Sequence, residues 1–158
     1  MADVRDVAQY ILERCGKMTA WKLQKLVYYC QAWSLVWDDE PLFEDEIEAW
    51  ADGPVVRRLY EIHAGKFKIA KIEGGDSSRL NKTQRETIEA VSEGYGDKPS
   101  TWLRDLTHSE TPWQDARLKA GLCEGERGCA VIPLDAMAEF YGGLSAKGQE
   151  KASEASPL

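Results

Sequence analysis

Residues 19–37 read TAWKLQKLVYYCQAWSLVW, and this stretch decides the fold. Thr19 is a suitable N-cap, and the apolar residues after it recur at the i, i+3, i+4, i+7 spacing of one helix face. These positions are Leu23, Leu26, Val27, Cys30, Trp33 and Trp37. The other faces also carry aromatic and aliphatic side chains, and a helix that is apolar nearly all round is normally buried. We therefore predict that residues 20–37 form the central helix of the fold.

The stretch that follows this helix has no clean period. Residues 38–41 (DDEP) break the helix, and residues 42–51 fit neither a helix nor a strand, although residues 47–50 could be a short extended piece. Gly53 and Pro54 then predict the restart of a helix, with Pro54 at its first position. A proline is tolerated there because its missing N–H would have no partner within the helix.

Helix-start signals recur along the rest of the chain, each a capping residue or a first-turn proline before an apolar stripe. They stand at Asp3, at Asn81 with Gln84, at Ser100 or Thr101, at Thr111 with Pro112 and Gln114, and at Pro133. Residues 67–72 alternate in polarity and predict a short strand. The predicted fold is mainly α: a compact single domain of about seven helices with a possible small β element.

The predicted domain spans residues 1–143. Residues 144–158 are small and polar, and they carry too little apolar surface to offset the entropy lost on ordering, so we expect a disordered tail. Residues 1–6 are charged and lack the apolar core of a signal peptide, and the longest apolar run is too short to span a membrane. We therefore expect a cytoplasmic protein without membrane contact.

Composition and charge exclude several classes of function. The 158 residues carry a formal net charge of -7, and DNA-binding proteins usually carry a basic footprint instead, so we expect no nucleic-acid partner. An acidic surface suits a basic protein partner, or it serves solubility alone. The four cysteines lack the paired spacing of a zinc site, and the acidic residues of segment 38–48 lack the spacing of a calcium loop. No metal, cofactor or small-molecule ligand is expected.

The sequence offers little that could carry catalysis. It contains no nucleophile elbow, no phosphate-binding glycine loop and no zinc-binding histidine pair. His63 falls on an inner helical stripe, where a core histidine is expected. His108 stands near Glu110 and could act as a general base in a hydrolase, or the two could satisfy the ends of adjacent helices. We favour the second alternative and expect no enzyme. Of the six tryptophans, Trp21 is expected to be the most exposed.

Four segments together resemble one protein family. They are residues 19–33 (TAWKLQKLVYYCQAW), 41–43 (PLF), 47–56 (IEAWADGPVV) and 107–113 (THSETPW). In order and spacing they are similar to the helix, the P-L-F…E-A-W-x-x-G-P-V-V block and the T-H-x-E-x-P-W signature of the Panacea, or SocA-like, antitoxin-domain family. Members of this family are often carried by phages and prophages.

The resemblance implies a helical antitoxin that neutralises a toxin by direct binding, the toxin being encoded by an adjacent gene. An adaptor that delivers the toxin to an ATP-dependent protease is the alternative that the resemblance leaves open. The toxins paired with this family are diverse, so the fold alone does not identify the partner. We expect the partner-binding surface to include Trp21, Lys22, Gln24, Lys25, Tyr28, Gly53, Pro54, Thr107, His108, Glu110 and Trp113.

Overall fold

A computed structural model describes the backbone of residues 1–155 and the side chains of residues 1–146. Within this part of the chain there are seven α-helices: α1 (Val4–Cys15), α2 (Ala20–Trp37), α3 (Arg57–His63), α4 (Lys82–Tyr95), α5 (Ser100–Ser109), α6 (Thr111–Lys119) and α7 (Leu134–Ala155). The strands are β1 (Met18–Thr19), β2 (Ile47–Trp50), β3 (Gly53–Val56), β4 (Lys68–Ile69) and β5 (Ala130–Val131). The predicted mainly α class with a small β element is confirmed.

The central helix is α2, as predicted. It packs against α1, α4, α5, α7 and β3, and its apolar side chains form the middle of one continuous core. Thr19 caps it, since its Oγ1 accepts a hydrogen bond from the backbone N–H of Lys22 at 3.2 Å. Because α2 is enclosed on nearly all sides, even Lys25 and Gln24 on this helix are buried. Such burial of polar side chains requires partners inside the protein.

The prediction that Gly53 and Pro54 restart a helix is wrong. These residues begin β3, which pairs antiparallel with β2 in a hairpin with a two-residue turn, and α3 begins only at Arg57. Trp50 stands opposite Gly53 in this pairing, and β5 pairs with the other side of β2. Pro54 is tolerated because β3 is an edge strand. The extended piece at residues 47–50 is confirmed, and the strand expected at residues 67–72 is limited to β4, which pairs with β1.

Two of the predicted helix starts need correction. The N-cap of α6 is Glu110 rather than Thr111, and the side chain of Gln114 donates a 2.6 Å hydrogen bond to the carbonyl oxygen of His108 instead of closing a capping box. The position before α5 is occupied by Pro99, and neither Ser100 nor Thr101 provides a cap. A short α5–α6 connection leaves room for only one residue between the two helices.

The remaining helix starts agree with the sequence. Asp3 caps α1, and the Asn81–Gln84 capping box at α4 forms in both directions. The last helix, α7, extends to Ala155, whereas the sequence pattern predicts a disordered tail after residue 143. Since the side chains from residue 147 onward and the backbone after residue 155 lie outside the described residues, the boundary at residue 143 stays a prediction.

Candidate functional site

Three of the four segments that carry the family resemblance meet at one corner of the fold, whereas residues 41–43 are bonded to Gln31 further along α2. Here the first turns of α2, the β2–β3 turn and the C-terminal half of α5 come together. We call this place the hairpin corner and define it by Trp21, Lys25, Asp52, Gly53, Arg104 and His108. The contact is close: a Cβ placed on Gly53 would lie 3.2 Å from Cε of Lys25 and 3.5 Å from Oγ1 of Thr107.

Lys25 is the buried cation of the hairpin corner. Its side chain is 2% exposed, and its Nζ donates one long hydrogen bond, 3.3 Å, to the carbonyl oxygen of Trp21. Nζ also lies 6.0 Å from the centre of the Trp21 ring, and it forms no ion pair with any side chain in residues 1–146. Burial lowers the pKa of Lys25 to about 8, although the charge of Asp52 opposes this shift. An ammonium group with three donors is therefore only partly satisfied.

His108 is the second polar group of the hairpin corner whose hydrogen-bonding capacity is not fully used. Its ring stacks on Trp113, with ring centres 3.9 Å apart and planes inclined by 13°. Its Nε2 is buried and has no hydrogen-bond partner in the described part of the chain. Burial lowers the pKa of His108, and the nearby charge of Arg104 lowers it further. Because the ring is fixed by stacking, the free nitrogen has a defined direction.

The outer side of the hairpin corner is a pair of exposed charges. Nε of Arg104 lies 3.5 Å from Oδ1 of Asp52, and both side chains are about half exposed or more, at 46% and 66%. Arg104 also approaches Asp105 at 3.9 Å. Exposed ion pairs of this kind contribute about 0–1 kcal/mol to stability, so separating this pair costs little free energy.

An aromatic cluster borders the hairpin corner on its other side. The ring of Trp21 lies 6.5 Å from Trp50, 6.1 Å from Tyr60 and 5.9 Å from His63. Trp50 and Tyr60 are half-buried like Trp21, so this cluster presents part of its aromatic surface to solvent. The expectation that Trp21 is the most exposed tryptophan is wrong, since Trp37 is 48% exposed.

Gln24 fixes the hairpin to the central helix. Its Nε2 donates to the carbonyl oxygen of Val56 at 3.2 Å, and its Oε1 accepts from the N–H of Val56 at 2.9 Å. Nε2 also lies 2.9 Å from Nε2 of His63, which is buried as predicted for a core histidine. Gln24 therefore supports the site from beneath and is not itself accessible.

Arg117, which the sequence analysis did not single out, holds the hairpin from α6. Its buried guanidinium donates to the carbonyl oxygens of Ala49 at 2.9 Å, Cys123 at 3.0 Å and Glu126 at 2.5 Å. The indole N–H of Trp113 adds a 2.9 Å hydrogen bond to the carbonyl oxygen of Trp50. These bonds attach β2 to α6 and so determine where the β2–β3 turn stands.

Tyr28 and Glu110 belong to a different cluster. Oε1 of Glu110 accepts hydrogen bonds from the hydroxyls of Tyr29 at 2.7 Å and Tyr141 at 2.8 Å, and Tyr141 also bonds to Tyr28 at 2.9 Å. Burial raises the pKa of Glu110. Glu110 is thus engaged with tyrosines and makes no hydrogen bond to His108 in the described residues, so the two do not form an acid–base pair.

The predicted site residues divide by accessibility. Trp21, Lys22 and His108 are half-buried, and Nζ of Lys22 is already bound to the carbonyl oxygen of Gly96 at 2.7 Å. The others are buried, namely Gln24, Lys25, Tyr28, Gly53, Pro54, Thr107, Glu110 and Trp113. The accessible residues that the sequence did not indicate are Asp52 and Arg104 in the hairpin corner and Trp50 and Tyr60 in the adjoining aromatic cluster. Only a nonlocal pairing brings them together, and no local signal identifies it.

The described residues contain neither a candidate metal site nor a candidate membrane-spanning helix. They contain no group of three or more histidine, cysteine or acidic side chains placed to hold a metal ion. None of the helices within them combines the length and apolar character needed to cross a bilayer.

Comparison with known proteins agrees with the resemblance in the sequence. A family model described as "Antitoxin SocA-like, Panacea domain" matches residues 23–114, more than half of the 158 residues. No curated protein and no solved structure matches the chain. The matched span contains the β2–β3 hairpin, α5 and the hairpin-corner residues other than Trp21. Since one family model accounts for this corner and for most of the chain, the protein belongs to the SocA-like antitoxin family and carries its Panacea domain.

Proposed function

We propose that this chain neutralises a toxin by binding it directly through the hairpin corner and the adjoining aromatic cluster. The observation that carries the proposal is the convergence of three family-matching segments on one corner that combines half-exposed aromatic rings with charged side chains. Aromatic and arginine side chains are the residue types that dominate the binding energy of protein interfaces. We further propose that the toxin is encoded next to this chain.

Rigid support of the corner favours binding by a preformed surface. Gln24 and Arg117 fix the hairpin through buried hydrogen bonds, and His108 is stacked on Trp113. A surface that is already ordered loses less conformational entropy on association. The net charge of -7 adds a general attraction for a basic partner, which raises the association rate at low salt.

The experiment is co-expression of the chain with the product of the adjacent open reading frame. We expect growth rescue and a complex that co-purifies. Trp21→Ala should weaken that complex, whereas Trp37→Ala should not. Trp37 is the matched control because it is an exposed tryptophan at the opposite end of α2, about 24 Å from Trp21 at 1.5 Å of rise per residue.

Two results would contradict the proposal. One is a complex that Trp37→Ala weakens and Trp21→Ala leaves intact. The other is rescue without a complex, with toxin levels that fall only when an ATP-dependent protease is present. That second result would indicate delivery to a protease in place of neutralisation by binding.

A further inference from the structure

We infer that the hairpin corner receives a carboxylate of the bound toxin, held by Lys25 and His108. The inference rests on the proposed function and names the chemical group on the partner that the corner recognises. The group would be an aspartate or glutamate side chain or the chain's terminal carboxylate, with its stem between the aromatic rings and the hairpin turn.

The first support is the incomplete pairing of Lys25. A buried ammonium group normally has a carboxylate partner, because an unpaired buried charge is costly. Lys25 has a single long bond to the carbonyl oxygen of Trp21, and Arg104 rather than Lys25 forms the ion pair with Asp52. Lys25 is therefore influenced by the charge of Asp52 but has no direct ion pair in the described residues, and an incoming anion would supply one.

The second support is the free nitrogen of His108, which is contributed by a different element. Nε2 of His108 is a buried polar atom without a partner in the described residues, and such atoms are rare enough in folded proteins to require an explanation. Lys25 borders Gly53, and His108 lies close to the backbone of Asp52, so the two groups flank adjacent residues of the same turn. A carboxylate has two oxygens and could bind one group with each.

The third support is that the corner is closed on its outer side by a weak contact. Its outer cover is the exposed ion pair of Arg104 with Asp52, which is weak for the reasons given above. When a partner carboxylate displaces Asp52, Arg104 becomes an additional donor at the rim. The exchange replaces one carboxylate by another, so the cationic groups of the corner retain a counter-charge throughout.

The close packing around Lys25 favours a carboxylate over a phosphate. Lys25 is closely packed against Gly53, since a single carbon added there would lie 3.2 Å from Cε of Lys25. Trp21 limits the corner from the other side. A planar carboxylate is the smaller anion and displaces these neighbours less, whereas a tetrahedral phosphate is bulkier and more strongly hydrated.

The first test measures the affinity of the toxin for Lys25→Met and for the control Lys71→Met. Lys71 is exposed and makes no hydrogen bond or ion pair in the described residues. We expect Lys25→Met to weaken the complex on the order of tenfold to a hundredfold while the free variant melts at or above the wild-type temperature, because a buried charge has been removed. Lys71→Met should leave both quantities unchanged. Unchanged affinity for Lys25→Met, or a clearly lower melting temperature of the free variant, would overturn the inference.

The second test needs no toxin and uses acetate as the probe. The free chain is titrated with acetate, chloride and phosphate at matched ionic strength, and the ring nitrogens of His108 are followed by NMR. We expect a saturable shift with acetate that chloride does not produce and that Lys25→Met abolishes. Absence of an acetate response, or tighter binding of phosphate than of acetate, would overturn the inference.

The two proposals fail in different ways. If wild-type chain and toxin form no complex, the proposed function fails, and the acetate titration still decides whether the carboxylate site exists. If the complex forms and Lys25→Met binds as tightly as wild type, the proposed function stands and the carboxylate inference is wrong.

Discussion

The hydroxyl of Tyr29 in α2 donates a 2.7 Å hydrogen bond to Oε1 of Glu110, the residue that joins α5 to α6. Tyr141 in α7 donates to the same oxygen at 2.8 Å, so one buried carboxylate connects α2 and α7 to the junction of α5 and α6. Glu110 is 7% exposed, and its two phenol donors stabilise the ionised form less than burial destabilises it. The net result is a raised pKa of Glu110.

The raised pKa of Glu110 predicts a specific pH dependence of stability. The native state keeps the Glu110 proton at pH values where the unfolded chain, with a pKa near 4.5, has already released it. Between these two pKa values stability therefore falls as pH rises, and the contribution of Glu110 is most favourable below about pH 4.5. Glu110→Gln removes the ionisable group, so we expect the variant to gain stability relative to wild type as pH rises.

Urea denaturation of both proteins between about pH 4.5 and pH 7.5 measures this difference. The difference cancels the opposing effect of other groups such as Asp3, whose pKa is lowered to about 2 by the hydrogen bond from Arg5 and whose contribution is lost as pH falls. Glu124→Gln is the control, since Glu124 is exposed. A difference between Glu110→Gln and wild type that stays constant over this range would show that Glu110 does not titrate differently on folding.

Gly53 is a second point where a small change has a predicted result. Its φ is +134°, a conformation that residues with a side chain rarely adopt, and an added Cβ would press against Lys25. We expect Gly53→Ala to lower the free energy of unfolding by about 1–3 kcal/mol. Gly142→Ala is the control of opposite sign: it lies within α7 with open space around it, so it should stabilise by up to about 1 kcal/mol. Equal effects of the two substitutions in a denaturation experiment would refute the role given to Gly53.

The parts of the fold that the sequence predicted are those that depend on local signals. The apolar positions of residues 20–37 identified α2, and the capping box at Asn81 located α4, because both signals act within a few residues. The β2–β3 hairpin was missed at β3, since Gly53-Pro54 is also a common helix start. Its strand character depends on pairing with β2 and on a two-residue turn, and neither is determined by residues 53–56 alone.

The candidate site was predicted less well than the fold. The sequence placed His108 and Glu110 two positions apart, yet the turn between α5 and α6 directs them into separate clusters. Lys25 was expected on an accessible helix face, because lysine is almost never fully buried. Its burial follows from the way the hairpin and α5 close over α2, a nonlocal contact that no helical period encodes.

Arg117 is predicted to be the residue that stabilises the hairpin most strongly from α6. Its planar guanidinium donates to the carbonyl oxygens of Ala49, Cys123 and Glu126 at once, an arrangement that a lysine cannot reproduce. We expect Arg117→Lys to lower the free energy of unfolding by about 2–4 kcal/mol, because at least one buried carbonyl loses its donor and a buried charge is left poorly paired. Urea denaturation measures the loss. Arg127→Lys, at an exposed position of the same loop, should cost little; a comparable loss there would show that the effect is not specific to the three carbonyls.

Gln24 and Gln31 allow stability and binding to be separated, because the same side chain performs the same task at two places on α2. Gln24 brackets the N–H and carbonyl of Val56, and Gln31 brackets the N–H of Leu42 and the carbonyl of Phe43. Replacing either glutamine by leucine leaves buried backbone groups without partners, so each should lower the free energy of unfolding by about 1–3 kcal/mol.

Only Gln24→Leu, however, releases the strand that carries the β2–β3 turn. We therefore expect that, for similar losses of stability, Gln24→Leu weakens toxin binding strongly and Gln31→Leu has little effect when both are measured well below their melting temperatures. Equal losses of binding would mean that affinity follows global stability, and the toxin would then not contact the hairpin corner.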